Sequence, residues 1–252
     1  MSKFWRGAVA AVVLAGAAFG EPERTLLLRE DQRPEAGMLE VGMQTEYSEI
    51  KDEMLRLKTD EWKTSLYGRY GLTPNVSLRA AVPYVDRDPE VGSSESGIGD
   101  VRLGFEFVAW RDIFDYPYIM PYAEVAFPTG DEDKGLGAGE TTGAIGIAGG
   151  STAWRYTHFV ADLRYSILAD EDNRFSGGLA VIHELSKQFF VSAEGTFAEE
   201  DENGDRRKQF VGGMTYKPNR RWAISVHGGK EYDGERDAIG ALKIAYSFGP
   251  YF

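Results

Sequence analysis

Eleven charged residues, Glu40, Glu46, Arg69, Arg79, Arg102, Glu106, Glu124, Asp162, Arg164, Glu194 and Lys243, fall on the polar side of runs whose other side is apolar. If those positions share one enclosed surface, charges of both signs can do two kinds of work there. They can brace it as ion pairs, each offsetting the burial cost of the other. Alternatively, they can line a constricted path and select among solutes by charge. Arg69 and Arg79 stand four residues either side of Thr73-Pro74-Asn75, so they should be close neighbours that need carboxylates nearby, with Glu46, Glu106 and Glu124 as candidates.

Catalysis has less to draw on. The three histidines, His158, His183 and His227, stand in no spacing that suggests a nucleophile-base pair or a metal site. There is no cysteine to act as a thiol nucleophile or to form a disulfide framework. Gly97-Ile98-Gly99-Asp100 looks like a fragment of a nucleotide loop but lacks the strand-loop-helix setting, and it reads as a loop leading into a strand. Asp131-Glu132-Asp133 and Glu199-Glu200-Asp201-Glu202 offer carboxylate oxygens for calcium or magnesium, but they show no regular ligand spacing, so solvated loops are the default reading and no cofactor is expected.

Alternate residues can feed one enclosed surface only from strands. The segment Trp62 to Tyr84 shows the rule: Trp62, Thr64, Leu66, Gly68, Tyr70 and Leu72 alternate with Lys63, Ser65, Tyr67, Arg69 and Gly71, and the period resumes after the turn with Val76, Leu78, Ala80, Val82 and Tyr84. Each arm is about ten residues, enough to cross a bilayer's hydrocarbon when tilted. Trp62, Tyr70 and Tyr84 lie toward the arm ends on the apolar face, where an interfacial girdle would need them. The same alternation repeats to give twelve strands between Gly37 and Phe248. Links after strands two, six, eight and ten are short, whereas those after one, three, five, nine and eleven are longer and acidic. That asymmetry and the even count predict an all-β fold, a closed antiparallel up-and-down transmembrane β-barrel of 12 strands over residues 37–252, rather than a soluble β-sandwich.

Residues 1–20, with Lys3 and Arg6 ahead of a short apolar core, read as a signal peptide. Residues 21–36 are polar except for Leu26, Leu27 and Leu28 and read as a periplasmic N-terminal arm; a small plug inside the lumen is the lesser alternative. The formal charge of −12 becomes −14 once Lys3 and Arg6 are removed, which argues against nucleic acid as a partner. Pro83, Pro121 and Pro128 interrupt strands three and five, since proline cannot donate to the ladder. A bulge or strand end suits Pro83 and Pro128, and Pro121 is the candidate lateral exit for apolar solutes.

The tail ALKIAYSFGPYF resembles the terminal strand that outer-membrane assembly machinery recognises. More specifically, RYGLTPNVSLRAAVPY (69–84), GIGDVRLGFEF (97–107) and PYAEVAFPTGD (121–131) resemble successive blocks of the MetA-pathway of phenol degradation family of outer-membrane transporters. The resemblance covers strands two to five and extends to the rest in layout. It implies a channel-like barrel of the bacterial outer membrane and hints at small apolar or aromatic compounds; it carries no catalytic residues. The partners expected are outer-membrane lipid and lipopolysaccharide, the barrel assembly machinery and a small-molecule solute. The expected role is passive passage of that solute, without enzymatic activity; the alternative is a structural or surface-interaction barrel with a closed lumen.

Overall fold

The computed structural model describes residues 24–32, 34–52, 57–111, 117–154, 156–168, 173–199, 207–232 and 236–249. The signal peptide expected over residues 1–20 lies outside them. Twelve antiparallel wall strands follow one another: β1 (Leu39–Asp52), β2 (Leu57–Thr73), β3 (Val76–Pro89), β4 in three collinear pieces (Glu95–Ile98, Val101–Phe107 and Trp110–Arg111), β5 (Tyr118–Phe127), β6 (Thr142–Trp154), β7 (Thr157–Ile167), β8 (Arg174–Glu184), β9 (Phe189–Ala198), β10 (Lys208–Tyr216), β11 (Trp222–Tyr232) and β12 (Arg236–Phe248). Each pairs with its neighbours in sequence, and β1 pairs with β12 from Leu39↔Phe248 onward, so the sheet closes on itself. Closure removes the unpaired edge that hydrocarbon could not solvate.

The two-residue period sorts side chains as expected. Leu66 is 54% exposed on the outer wall and Leu179 69%, while inward Arg69 is 1% exposed and Glu194 0%. An apolar exterior this extensive requires an apolar solvent: fully burying such a side chain is worth about 1.5–3 kcal/mol, and lipid supplies roughly half of that for side chains the wall already half covers. Aromatic pairs gather at both rims. Trp222–Tyr246 and Phe189–Tyr216, with ring centroids 4.7 and 4.6 Å apart, lie at the end with tight turns. At the loop end Tyr47 packs on Trp62 at 4.9 Å.

Proline explains why β4 is broken. From Tyr84↔Ile98 to Ala81↔Arg102, two residues of β3 (Val82 and Pro83) oppose three of β4. From Trp110↔Ile119 to Glu106↔Tyr122, two residues of β5 (Met120 and Pro121) likewise oppose three of β4. In both places a proline without an N–H faces a bulge, which absorbs the missing donor. At the first bulge the Gly99 N–H donates to the Pro83 carbonyl at 2.9 Å. Strand β5 ends at Phe127, just before Pro128.

Several strands run further than the apolar pattern indicates. Leu57 to Asp60 and Asp86 to Pro89 fall in the acidic links of the sequence, yet Leu57 to Asp60 pair with β1 and Asp86 to Pro89 pair with Trp62 to Thr59 of β2, because a ladder beyond the membrane needs hydrogen bonds but no apolar face. Glu95 to Ile98 is likewise strand. The Gly97-Ile98-Gly99-Asp100 run seats the β5–β6 loop, whose buried Leu136 lies where side chains on Gly97 and Gly99 would stand. The Asp100 carboxylate accepts the N–H groups of Gly130 at 3.0 Å and Ala138 at 2.8 Å.

Inward glycines have a related use. Gly146 lies under the ring of Tyr122, and a Cβ there would collide with it. Gly195, by contrast, lies on the outward face of β9, with open space around its would-be Cβ. Gly146→Val is therefore expected to destabilise the barrel by about 1–3 kcal/mol through overpacking, whereas Gly195→Ala stays within about 0.5 kcal/mol of wild type. Thermal unfolding of the two purified variants in detergent checks the contrast.

Candidate functional site

Residues 24–32 of the arm expected in the periplasm lie inside the barrel, the lesser alternative for this segment. Three leucines cannot remain in water when an apolar surface is within reach, and the lumen provides one. Inward Val160 on β7, Ala180 and Ile182 on β8 and Phe190 on β9 form a buried cluster with Leu28, and Leu27 packs against it. The arm closes into a compact loop through the ion pair of Arg24 with buried Glu30, whose carboxylate also accepts the Arg24 backbone N–H at 3.0 Å. Within the loop the Thr25 hydroxyl donates to the Leu28 carbonyl at 2.8 Å.

A loop in a lumen brings backbone donors that need acceptors. Glu194 supplies them: its carboxylate accepts the N–H groups of Leu26 at 2.7 Å, Leu27 at 2.8 Å and Leu28 at 3.4 Å. Asp162 accepts the next, from Arg29 at 2.9 Å, and also the Tyr122 hydroxyl at 2.7 Å. The Arg29 guanidinium then crosses to the facing wall, donating to Glu106 at 2.7 Å and to Glu124 at 2.6 Å, with its central carbon 4.5 Å from the Tyr122 ring centroid. Glu106 is further held by Arg69 at 3.3 Å and by the Ser77 hydroxyl at 2.8 Å. Arg69 also lies 3.7 Å from Glu40 and donates to the Gln32 carbonyl at 2.8 Å.

The polar positions named from sequence thus divide in two. Arg69, Glu106 and Glu194 hold the arm, and Arg69 pairs directly across from Arg79 in the β2–β3 ladder. Glu46, Arg79, Arg102, Glu124, Asp162 and Arg164 line a cavity of about 450 Å³ on the loop side of the arm, whose floor includes Leu26, Leu27, Leu28 and Arg29. Glu124 and Asp162 belong to both groups. Lys243 is buried and does not line the cavity itself, but its ammonium lies 5.7 Å from the ring centroid of Tyr67, which does. Pro121 faces outward beside the second bulge of β4.

Sequence reasoning missed Arg24, Arg29 and Glu30. A signal was available: Val160, Ala180, Ile182 and Phe190 are apolar at inward positions of adjacent strands, so something apolar had to cover them. It also missed a hydrogen-bonded chain at the turn end, Thr152 Oγ1 to His158 Nδ1 at 2.9 Å and His158 Nε2 to Glu184 at 2.8 Å. Glu184 in turn lies 3.7 Å from Arg24, so the chain stitches β6, β7 and β8 to the arm. His183 is exposed on the outer face and bonds Thr157, and buried His227 lies 3.8 Å from Glu194. Among the described residues no group of three or more His, Cys, Asp or Glu is arranged to hold a metal ion.

A closed twelve-stranded wall with an apolar exterior and a polar, plugged interior defines an outer-membrane β-barrel. The chain belongs to the family described as Putative MetA-pathway of phenol degradation, whose model matches residues 45–248. A search of curated proteins finds no match. Among solved structures the fold is similar to a COG4313 outer membrane channel from Pseudomonas putida F1, with a TM-score of 0.71 at 12% identity over 86% of this chain and 97% of that one. It is also similar to the KdgM porin, with a TM-score of 0.60 at 10% identity over 83% of this chain and 99% of that one.

Because the chain has no cysteine, the single substitution Leu27→Cys gives a thiol that reports on the arm alone. Glu194→Ala removes a charged acceptor of three arm N–H groups, each such bond being worth about 1.5–3 kcal/mol. Maleimide labelling of the Leu27→Cys thiol is expected to accelerate roughly tenfold or more in that background.

Proposed function

We propose that this protein is a passive, non-enzymatic outer-membrane channel for a small aromatic or apolar solute, and that its N-terminal arm is the gate. The observation that carries the reading is the cavity of about 450 Å³ on the loop side, closed underneath by arm residues rather than by the wall. A wall cannot open without breaking ladder hydrogen bonds, whereas a loop held by a few carboxylates can move. Tight turns face the periplasm in barrels of this kind, so the cavity faces outward and the arm closes the periplasmic half. Family membership and the likeness to a solved outer membrane channel support this direction of reading.

Two routes lead on from the cavity. An axial route follows displacement of the arm. A lateral route for apolar solutes runs through the wall at Pro121, where the prolyl nitrogen and the bulge of β4 interrupt the ladder. The second reading, a structural barrel with a permanently closed lumen, draws on the same buried arm: Glu30 and Glu194 are fully buried, and their bonds to it are numerous.

Removing residues 24–32 and reconstituting the barrel in a planar bilayer separates the two. A gate predicts a severalfold rise in single-channel conductance. A folded barrel that still passes no current would leave only the structural reading. Pro121→Val is expected to slow uptake of toluene into cells carrying the protein, measured against wild type at equal expression, and unchanged uptake removes the lateral route.

A further inference from the structure

The cavity above the arm is electropositive. Six lysine and arginine residues line it against Glu46, Glu124 and Asp162, an excess of three positive charges in a chain whose formal charge is −12. The imbalance is concentrated on one wall. Arg79 on β3 and Glu124 on β5 flank Gly104 of β4, Arg102 lies 3.9 Å from Glu124 and Arg164 lies 3.3 Å from it. Arg29 of the arm engages the same carboxylate at 2.6 Å. One carboxylate is therefore shared among three guanidinium groups within ion-pair range, in a concave site whose low-dielectric walls focus the field. The floor beside them is of different character, formed by the half-buried side chains of Leu26 and Leu27.

A ligand that satisfies both surfaces has a compact apolar body and one anionic group. Guanidinium forks match a carboxylate in two parallel hydrogen bonds, and a planar ring lies flat against leucine without needing a polar partner. The geometry points to a binding site for a small aromatic carboxylate, its carboxylate on the Arg102–Arg164 wall and its ring on Leu26 and Leu27. The inference deepens the channel reading by naming the passenger's class and rests on it for the passenger's fate; binding itself is measured without transport.

The full mature chain in detergent, titrated calorimetrically with benzoate and separately with its uncharged counterpart benzyl alcohol, tests the site. Benzoate is expected to bind at least tenfold more tightly, with an affinity that falls as salt rises. Arg102→Gln combined with Arg164→Gln is expected to weaken benzoate about tenfold and leave benzyl alcohol unchanged. Equal affinity for the two compounds in the wild-type protein overturns the proposal without reliance on any variant, as does full benzoate affinity in a folded double variant. Loss of this discrimination with conductance intact sinks the anion site alone, and intact discrimination without conductance sinks the channel alone.

Discussion

Every backbone N–H in this protein that is out of reach of water must find an acceptor, and that requirement organises the molecule. In the wall it forces closure, since an open edge in hydrocarbon would strand a row of donors and acceptors. It also fixes where the wall is irregular. Pro83 and Pro121 remove donors, and in each case β4 shifts by one residue opposite the proline. In the lumen the same requirement selects carboxylates: Glu194 and Asp162 take four consecutive N–H groups from Leu26 to Arg29.

The interior is neither a uniform set of ion pairs nor a continuous charged pore. Its turn half is packed: apolar side chains from β7, β8 and β9 meet the arm's leucines, and Glu106 is enclosed by Arg29, Arg69 and Ser77. The loop half keeps a cavity with arginines on one wall. Ion-pair bracing is thus concentrated around the arm, and the loop half keeps charged side chains along an open cavity. Glu124 sits at their boundary, bonded to the arm from one oxygen and close to Arg164 from the other.

Much of this was legible in the sequence, for a definite reason. A strand with lipid on one side must be apolar at every second residue, so the facing of Leu66 and Arg69, or of Phe105 and Glu106, follows from composition alone. The family was readable for a different reason, the resemblance of the blocks around Gly97 and Pro121 to those of its members. The arm was not, because its burial depends on contacts far apart in sequence: Leu26 meets Glu194 across 168 positions, and Arg29 meets Glu106 across 77. The apolar inward residues that receive it become a single patch only when the register of β7, β8 and β9 is known. Strand ends were overlooked for the opposite reason, since Asp86 to Pro89 pair through backbone and leave no apolar trace.

The attachment of the arm sets how it can behave. Ala36 and Gly37 are fastened to Gly71 by a β-bridge and a hydrogen bond, and β1 begins at Leu39, so the clamped residues end only a few positions from a fixed point in the wall. A leash that short, with each residue spanning at most about 3.3–3.6 Å, keeps a displaced loop near the mouth it came from, at high effective concentration. If the arm works as the proposed gate, its reseating is a first-order event, indifferent to how many copies share the membrane, in the manner of a ball on a chain.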